Sequence, residues 1–185
     1  NLELFQYLQY FGANIRAYSN QPIIVASRYG SLDIVKYLYH CGVDIRALEE
    51  DENNPTSKYG QIGRVEYFLH NGVFTMGRSD EPIIEASRYG HLEVVKFLHL
   101  CGASACARND QPIIKASRSG NLELVKYLHY YGADIRAQED QPVISASISG
   151  NLELVKYLNY YGADIRTRGD QPIILASIHV NAETV

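Results

Sequence analysis

Histidine is the residue type in this chain whose number and chemistry could support a metal site or acid–base catalysis. Two pairs of histidines, His40 with His70 and His99 with His129, are each separated by thirty residues. If thirty residues form one structural unit, the members of a pair lie in a column along the molecule. They cannot then meet on one tetrahedral metal ion, whose ligands lie at about 2.0–2.3 Å. The histidine pattern therefore favours neither a metal site nor a metal-dependent reaction.

The cysteines Cys41, Cys101 and Cys106 form an odd-numbered set that does not resemble a disulfide framework. Cys41 and Cys101 occupy equivalent positions two units apart. At about 8–10 Å per packed helix they are expected about 20 Å apart, beyond the ~7 Å reach of a disulfide. A metal site built from His99, Cys101 and Cys106 is also disfavoured, because His99 and Cys101 point to different faces of a predicted helix. Reduced thiols are typical of cytoplasmic proteins, and we expect that location here.

The motifs of common catalytic sites are missing from the sequence. It contains no G-x-S-x-G, no Walker-type phosphate loop and no H-E-x-x-H. Its acidic residues are explained by helix capping and by Glu–Lys pairs such as Glu123 with Lys126. We therefore predict a protein that is not an enzyme and that uses no cofactor and no small-molecule substrate.

The elements that position all these side chains are copies of one repeated unit. Glycines recur every thirty residues in two columns, which are Gly12, Gly42, Gly72, Gly102, Gly132 and Gly162, and Gly30, Gly60, Gly90, Gly120 and Gly150. Self-similarity at such a period indicates a solenoid or an array of stacked units. The fold can therefore be read from one unit.

The best-preserved unit predicts two short helices. Asp140 offers a capping oxygen and Pro142 stands in the first turn of the first helix, which Gly150 ends. Asn151 caps the second helix, and Gly162 ends it. The four residues that follow are too few for another helix and favour an extended turn or a hairpin tip.

Helices of about ten residues are marginal in water on their own, so the units must stack and bury their apolar faces against one another. We predict a single array over residues 1–185. Its units are a partial repeat at 1–19, full repeats at 20–49, 50–79, 80–109, 110–139 and 140–169, and a partial repeat at 170–185. Since both ends fall inside a unit, we expect this chain to be a segment of a longer array.

The repeated motifs Q-P-I-I-x-A, G-N-L-E-L-V-K-Y-L and G-A-D-I-R resemble the ankyrin repeat. The resemblance implies an all-α solenoid of stacked helix-turn-helix units with short β-turn or finger loops. It also implies a scaffold for protein–protein interaction whose partner binds on the concave face. The thirty-residue variant with V-K-Y-L and G-A-D-I-R is similar to the ankyrin families of giant amoeba-infecting DNA viruses, which would imply a viral protein acting on a host protein in the host cytoplasm.

One unit, residues 50–79, departs from the pattern. The D-Q-P-I-I motif of the other units is missing there, and Asn54 and Pro55 arrive three residues late. A proline inside a regular helix costs about 3 kcal/mol, so we predict a first helix of about one turn. This degenerate unit is expected to form the weakest interface of the array. The apolar turn at 73–76 is compatible with a specialised contact or with simple divergence.

The overall charge limits the classes of partner. The formal net charge is −4 and the isoelectric point is about 5.9. Sequence-independent binding of nucleic acid depends on clustered Lys and Arg, so this balance disfavours a nucleic-acid partner. No apolar run approaches the roughly 20 residues of a membrane span, and we expect no membrane association.

The positions that the repeat does not fix could form a binding face. One such column contains Arg28, Lys58, Arg88, Arg118, Ile148 and Ile178, and its neighbour contains Tyr29, Tyr59, Tyr89, Ser119, Ser149 and His179. The face would change from basic and aromatic to apolar along the array. One hypothesis is that it binds a protein segment with an acidic part and an apolar part. The alternative is that the basic residues pair with acids of the chain itself, such as Glu49, Glu50 and Asp51.

Tyrosine forms two further patterns. The column containing Tyr7, Tyr37, Tyr67, Tyr127 and Tyr157 lies on the second helices, and at helical spacing it favours packing between units. A second cluster near the helix ends contains Tyr130, Tyr131, Tyr160 and Tyr161, and part of it is expected to be exposed.

Overall fold

The computed structural model describes residues 1–45 and 80–179. These residues form helices and turns without a strand, which confirms the all-α prediction. The expectations for the degenerate unit and for the last residues of the chain fall outside the described residues. The helices are α1 (Leu2–Tyr10), α2 (Ala17–Arg28), α3 (Leu32–His40), α4 (Glu81–Arg88), α5 (Leu92–Leu100), α6 (Ala107–Ser119), α7 (Leu122–Tyr130), α8 (Ala137–Ser149), α9 (Leu152–Tyr160) and α10 (Thr167–His179).

The helices form two layers. The first helices of the units, α2, α4, α6, α8 and α10, pack side by side in one row, and each of α2, α4, α6 and α8 also packs against the second helix that follows it. The core lies between the layers. Its members are aliphatic side chains that recur at equivalent positions and are fully buried, including Ile23, Ile83, Ile113 and Val143 on the first helices and Leu38, Leu98, Leu128 and Leu158 on the second.

The second helix of unit 140–169 begins and ends as predicted. The Leu154 amide donates to Asn151 Oδ1 at 3.0 Å, and Gly162 adopts φ +103° two residues after the helix ends at Tyr160. At the end of the first helix, Gly150 is left-handed with φ +71°. Glycine suits these positions because a side chain at positive φ crowds the backbone.

The start of the first helix differs from the prediction. Asp140 does not cap its own helix; its Oδ1 accepts a hydrogen bond from the backbone amide of Asp164 in the next unit, at 3.2 Å. Asp110 accepts one from the Asp134 amide in the same way, at 3.1 Å. The reason is the left-handed backbone of Asp140, with φ +60°, which turns the carboxylate away from its own helix and toward the neighbouring turn.

Three consecutive residues with a left-handed backbone lie near the start of α6, α8 and α10, before the regular part of each helix. In α8 these are Gln138, Glu139 and Asp140, with φ between +52° and +61°. Hydrogen bonds between units hold these residues. Gln138 Nε2 donates to the Asn109 carbonyl at 2.8 Å, and Arg168 Nη2 donates to the Gln138 carbonyl at 3.0 Å. The connection between units therefore contains a compact left-handed turn, which follows the four-residue segment predicted as an extended turn or hairpin tip.

The helices on either side of residues 46–79 contact each other directly. Helix α2 packs against α4 in the row of first helices. His91 Nε2 lies 2.9 Å from the Arg28 carbonyl oxygen, and the rings of Tyr39 and Phe97 meet edge to face with centroids 5.7 Å apart. Unit 80–109 is therefore a direct neighbour of unit 20–49 in space.

Candidate functional site

The basic column of the predicted binding face lies at the carboxyl ends of the first helices. Arg28 ends α2, Arg88 ends α4, and Arg118 is the penultimate residue of α6. Because these helices pack side by side, equivalent positions on them form a continuous row. Lys58 and Tyr59 lie outside the described residues. Ile178 and His179 close helix α10, and their side chains lie outside the description.

Two of the arginines share a buried carboxylate that sequence reasoning missed. Glu85 is 2% exposed, and its two oxygens accept from Arg28 Nε at 2.7 Å and from Arg88 Nε at 2.9 Å. Internal pairing therefore accounts for part of the charge of Arg28 and Arg88, and Glu49, Glu50 and Asp51, the acids considered in the sequence, lie outside the described residues. The available signal was that the position of Glu85 varies between units, with Val25 and Lys115 at the equivalent places.

Lys115 joins the row between Arg88 and Arg118. Burial lowers the pKa of the Lys115 ammonium, and the charges of Arg88 and Arg118 lower it further, whereas Glu85 and Glu81 act in the opposite direction. Within the described parts of the chain, neither Lys115 nor Arg118 has a hydrogen bond or an ion pair from its side chain. We call Arg28, Arg88, Lys115 and Arg118 the basic strip.

The neighbouring column becomes less aromatic along the array. Tyr29 and Tyr89 are 73% and 53% exposed. The hydroxyl groups of Ser119 and Ser149 donate to carbonyls of their own helices at 2.8 and 2.7 Å. Ile148, the equivalent of Arg118 one unit later, is half-buried. The face thus changes from basic and aromatic to apolar, as the two columns indicated.

Comparison with known families decides the class of the array. A family model described as "Ankyrin repeats (3 copies)" matches residues 57–139, 83–169 and 113–185, and one described as "Ankyrin repeat" matches residues 18–49. The chain belongs to the ankyrin repeat family. Ankyrin repeats are generally protein–protein interaction modules and typically non-enzymatic. No curated protein matches the chain in a direct comparison.

On the second helices of the ankyrin units, a tyrosine of one unit contacts a histidine of the preceding unit. The Tyr127 hydroxyl lies 2.9 Å from His99 Nδ1, and the Tyr157 hydroxyl lies 2.8 Å from His129 Nδ1. Burial raises the pKa of both phenols above their ordinary value. This Tyr–His ladder joins unit to unit, so its tyrosines pack between units as predicted.

The outer side of the ladder is open. An open groove of about 720 Å³ passes between Lys126, Tyr131 and Tyr161 on this face. Tyr130 and Tyr160 beside it are each 82% exposed, as the second tyrosine cluster predicted.

In the part of the ankyrin array that the structure describes, the remaining reactive residue types show no assembled site. Among the described residues, no three His, Cys, Asp or Glu side chains are close enough to hold a metal ion together. Cys106 is exposed, but burial of its sulfur and the neighbouring Asp110 raise the pKa of its thiol. A raised pKa disfavours the thiolate, which is the nucleophilic form. No helix in the described ranges has the length and apolarity needed to cross a bilayer.

Proposed function

We propose that this ankyrin array is a non-catalytic scaffold that binds an extended segment of a protein partner. The binding face is the row of first-helix ends, which is the concave side in this family. The observation that carries the proposal is that Lys115 and Arg118 have no acidic partner among the described residues, while the next unit presents Ile148 at the position of Arg118. Such a face complements a segment with acidic residues followed by apolar ones.

In the finer form of the proposal, the partner is a host protein and the array acts in the cytoplasm of the host cell. The support is the similarity of its thirty-residue units to those of giant amoeba-infecting viruses. The alternative is a substrate-recruiting adaptor within a longer viral polypeptide, for example one that delivers a bound host protein to ubiquitin ligation. A nucleic-acid binder along the arginine column is a further alternative, supported by the basic strip and opposed by the net charge of −4.

The test is affinity capture from amoebal lysate followed by mass spectrometry. The wild-type array is compared with Arg118→Glu, and with Lys126→Glu as a control on helix α7. Arg28 and Arg88 are left intact, because reversing either charge would remove one of the two counter-charges of the buried Glu85 and place a second acid beside it. Circular dichroism establishes that each variant is folded.

A protein that is captured by the wild type and by Lys126→Glu but lost with Arg118→Glu supports the proposal. Ubiquitin-ligase components in the same fraction favour the adaptor form. Capture of nucleic acid that falls steeply with salt concentration favours the third alternative. Capture that is unaffected by Arg118→Glu contradicts binding at this face.

A further inference from the structure

Among the described residues, the basic strip carries more charge than the acids beside it neutralise. Glu85 contacts the strip directly and binds Arg28 and Arg88. Glu81, the other acid near the strip, is bound by Arg108 Nη1 at 2.7 Å. Within the described ranges the strip therefore retains a positive excess, and this excess is concentrated at its Lys115 end.

Lys115 is the member of the strip whose charge is least satisfied. It is half-buried, and loss of water is the largest cause of the lowered pKa of its ammonium. Two guanidinium groups flank it, and no acceptor in the described residues binds it. Glu85 and Glu81 act on Lys115 only at a distance. A partly desolvated cation without a directly bound counter-charge costs free energy, so an anion placed at this point would gain both from Lys115 and from Arg88 and Arg118.

One unit further along the row of first helices, an apolar side chain occupies the position equivalent to Arg118. Ile148 is half-buried on helix α8, and the polar Ser145, which is equivalent to Lys115, is 3% exposed. Packed helices lie roughly 8–10 Å apart, and an extended chain advances about 3.3 Å per residue. A bound segment that runs along the row therefore moves from one unit to the next in about three residues.

We infer that Lys115 is the anchor point of the binding face and takes one anionic side chain of the bound segment, with an apolar side chain about three residues away against Ile148. The anion is a carboxylate or a phosphoryl group, since each presents oxygen acceptors to an ammonium and two guanidiniums. Arg88 and Arg118 assist it from either side. The inference rests on the proposed function and specifies the chemistry of the partner.

The test is a selection from a random twelve-residue peptide library on immobilised arrays. Five proteins are compared: the wild type, Lys115→Met, which keeps the length of the stem without the charge, Lys115→Glu, Arg118→Glu, and Lys156→Met. The last is the matched control, because Lys156 pairs with Glu153 on helix α9 and lies outside the strip. Circular dichroism and urea unfolding show that each protein is folded.

Wild type and Lys156→Met are expected to enrich an acidic residue at one fixed position and an apolar residue about three positions from it. Lys115→Met should retain the apolar preference and lose the acidic one, and Lys115→Glu should enrich Lys or Arg at the same position. An unchanged acidic preference in Lys115→Met overturns the role of Lys115 as the anchor point but does not contradict binding at this face. Absence of enriched peptides on the wild type, or enrichment insensitive to Arg118→Glu, overturns the proposed function as well.

One selected peptide is then synthesised with the acid, with the matching amide and with phosphoserine at the fixed position. Fluorescence anisotropy should show about tenfold weaker binding of the amide peptide to the wild type, as expected for loss of one charge-assisted hydrogen bond, and no such difference with Lys115→Met. The tighter of the acidic and phosphorylated peptides identifies the source of the anion. Equal affinity of all three peptides for the wild type overturns the anchor.

Discussion

Replacing Gly30 by alanine tests the direct contact between unit 20–49 and unit 80–109. Gly30 has φ +67°, and an added Cβ would lie 2.6 Å from His91 Nδ1 and 2.8 Å from His91 Cγ. Gly120 provides the matched control. It has φ +74°, and its Cβ would be 3.4 Å from the nearest atoms, which belong to Ser149. The two glycines thus share a backbone conformation and differ in what lies beside them.

The expected magnitudes separate into two parts. A left-handed alanine costs roughly 1–2 kcal/mol compared with glycine, and this cost applies to both variants. Overpacking adds about 1–3 kcal/mol at Gly30, where the imidazole is held against the Arg28 carbonyl oxygen at 2.9 Å. Gly120→Ala should therefore lower the free energy of unfolding by about 1–2 kcal/mol, and Gly30→Ala by about 2–5 kcal/mol.

Urea unfolding followed by circular dichroism measures both losses. His91→Asn completes a double-mutant cycle, because asparagine occupies the equivalent position at Asn121 and leaves room for a side chain. In the Gly30→Ala, His91→Asn double variant, most of the excess loss should be recovered, giving a coupling of about 1–3 kcal/mol. Equal losses for Gly30→Ala and Gly120→Ala, or no coupling with His91, would refute direct packing of α2 on α4.

Four other changes probe the same architecture by urea unfolding. Deleting residues 50–79 creates the junction I-R-A-L-E-D-E-P-I-I, spaced like I-R-A-Q-E-D-Q-P-V-I at 135–144; the unfolding midpoint should be retained, and a lower one would contradict direct packing. Glu85→Gln should cost about 2 kcal/mol, because two guanidiniums lose their buried counter-charge, whereas Glu93→Gln in an exposed pair should cost less than about 1 kcal/mol; equal costs would exclude the buried role. Tyr157→Phe should cost about 1 kcal/mol through the lost hydrogen bond to histidine, and an unchanged stability would show that this bond contributes nothing. Gly169→Ala should cost about 1 kcal/mol from its left-handed backbone alone, and no loss would mean that the turn relaxes.

The sequence predicted the parts of the fold that depend on local residue types. Asn151 and Gly162 delimit their helix because capping and positive φ are decided within a few residues of the chain. Packing of Tyr127 and Tyr157 between units was also predicted, because tyrosine recurs at this position in most of the second helices. Such features depend on residue types that recur from unit to unit.

Features that depend on contacts between units were not predicted. Gln138 and Glu139 are not residue types that favour a left-handed backbone, and hydrogen bonds to neighbouring units hold them there. The partner of Arg28 was missed for a related reason. Column arguments compare equivalent positions, whereas Glu85 lies three residues before the equivalent position and 57 residues along the chain from Arg28.

Glu85 and Lys115 show why variable positions in a repeat protein need a structure before a function is assigned to them. Both occupy the same position in neighbouring units, and both differ from the residues found there elsewhere. Glu85 is paired within the chain, since it forms ion pairs with Arg28 and Arg88 and is 2% exposed. Lys115 has no such partner among the described residues. Variation alone treats the two as equal evidence for a binding face, whereas the ion pairs remove Glu85 from consideration and leave Lys115 as the anchor that we propose.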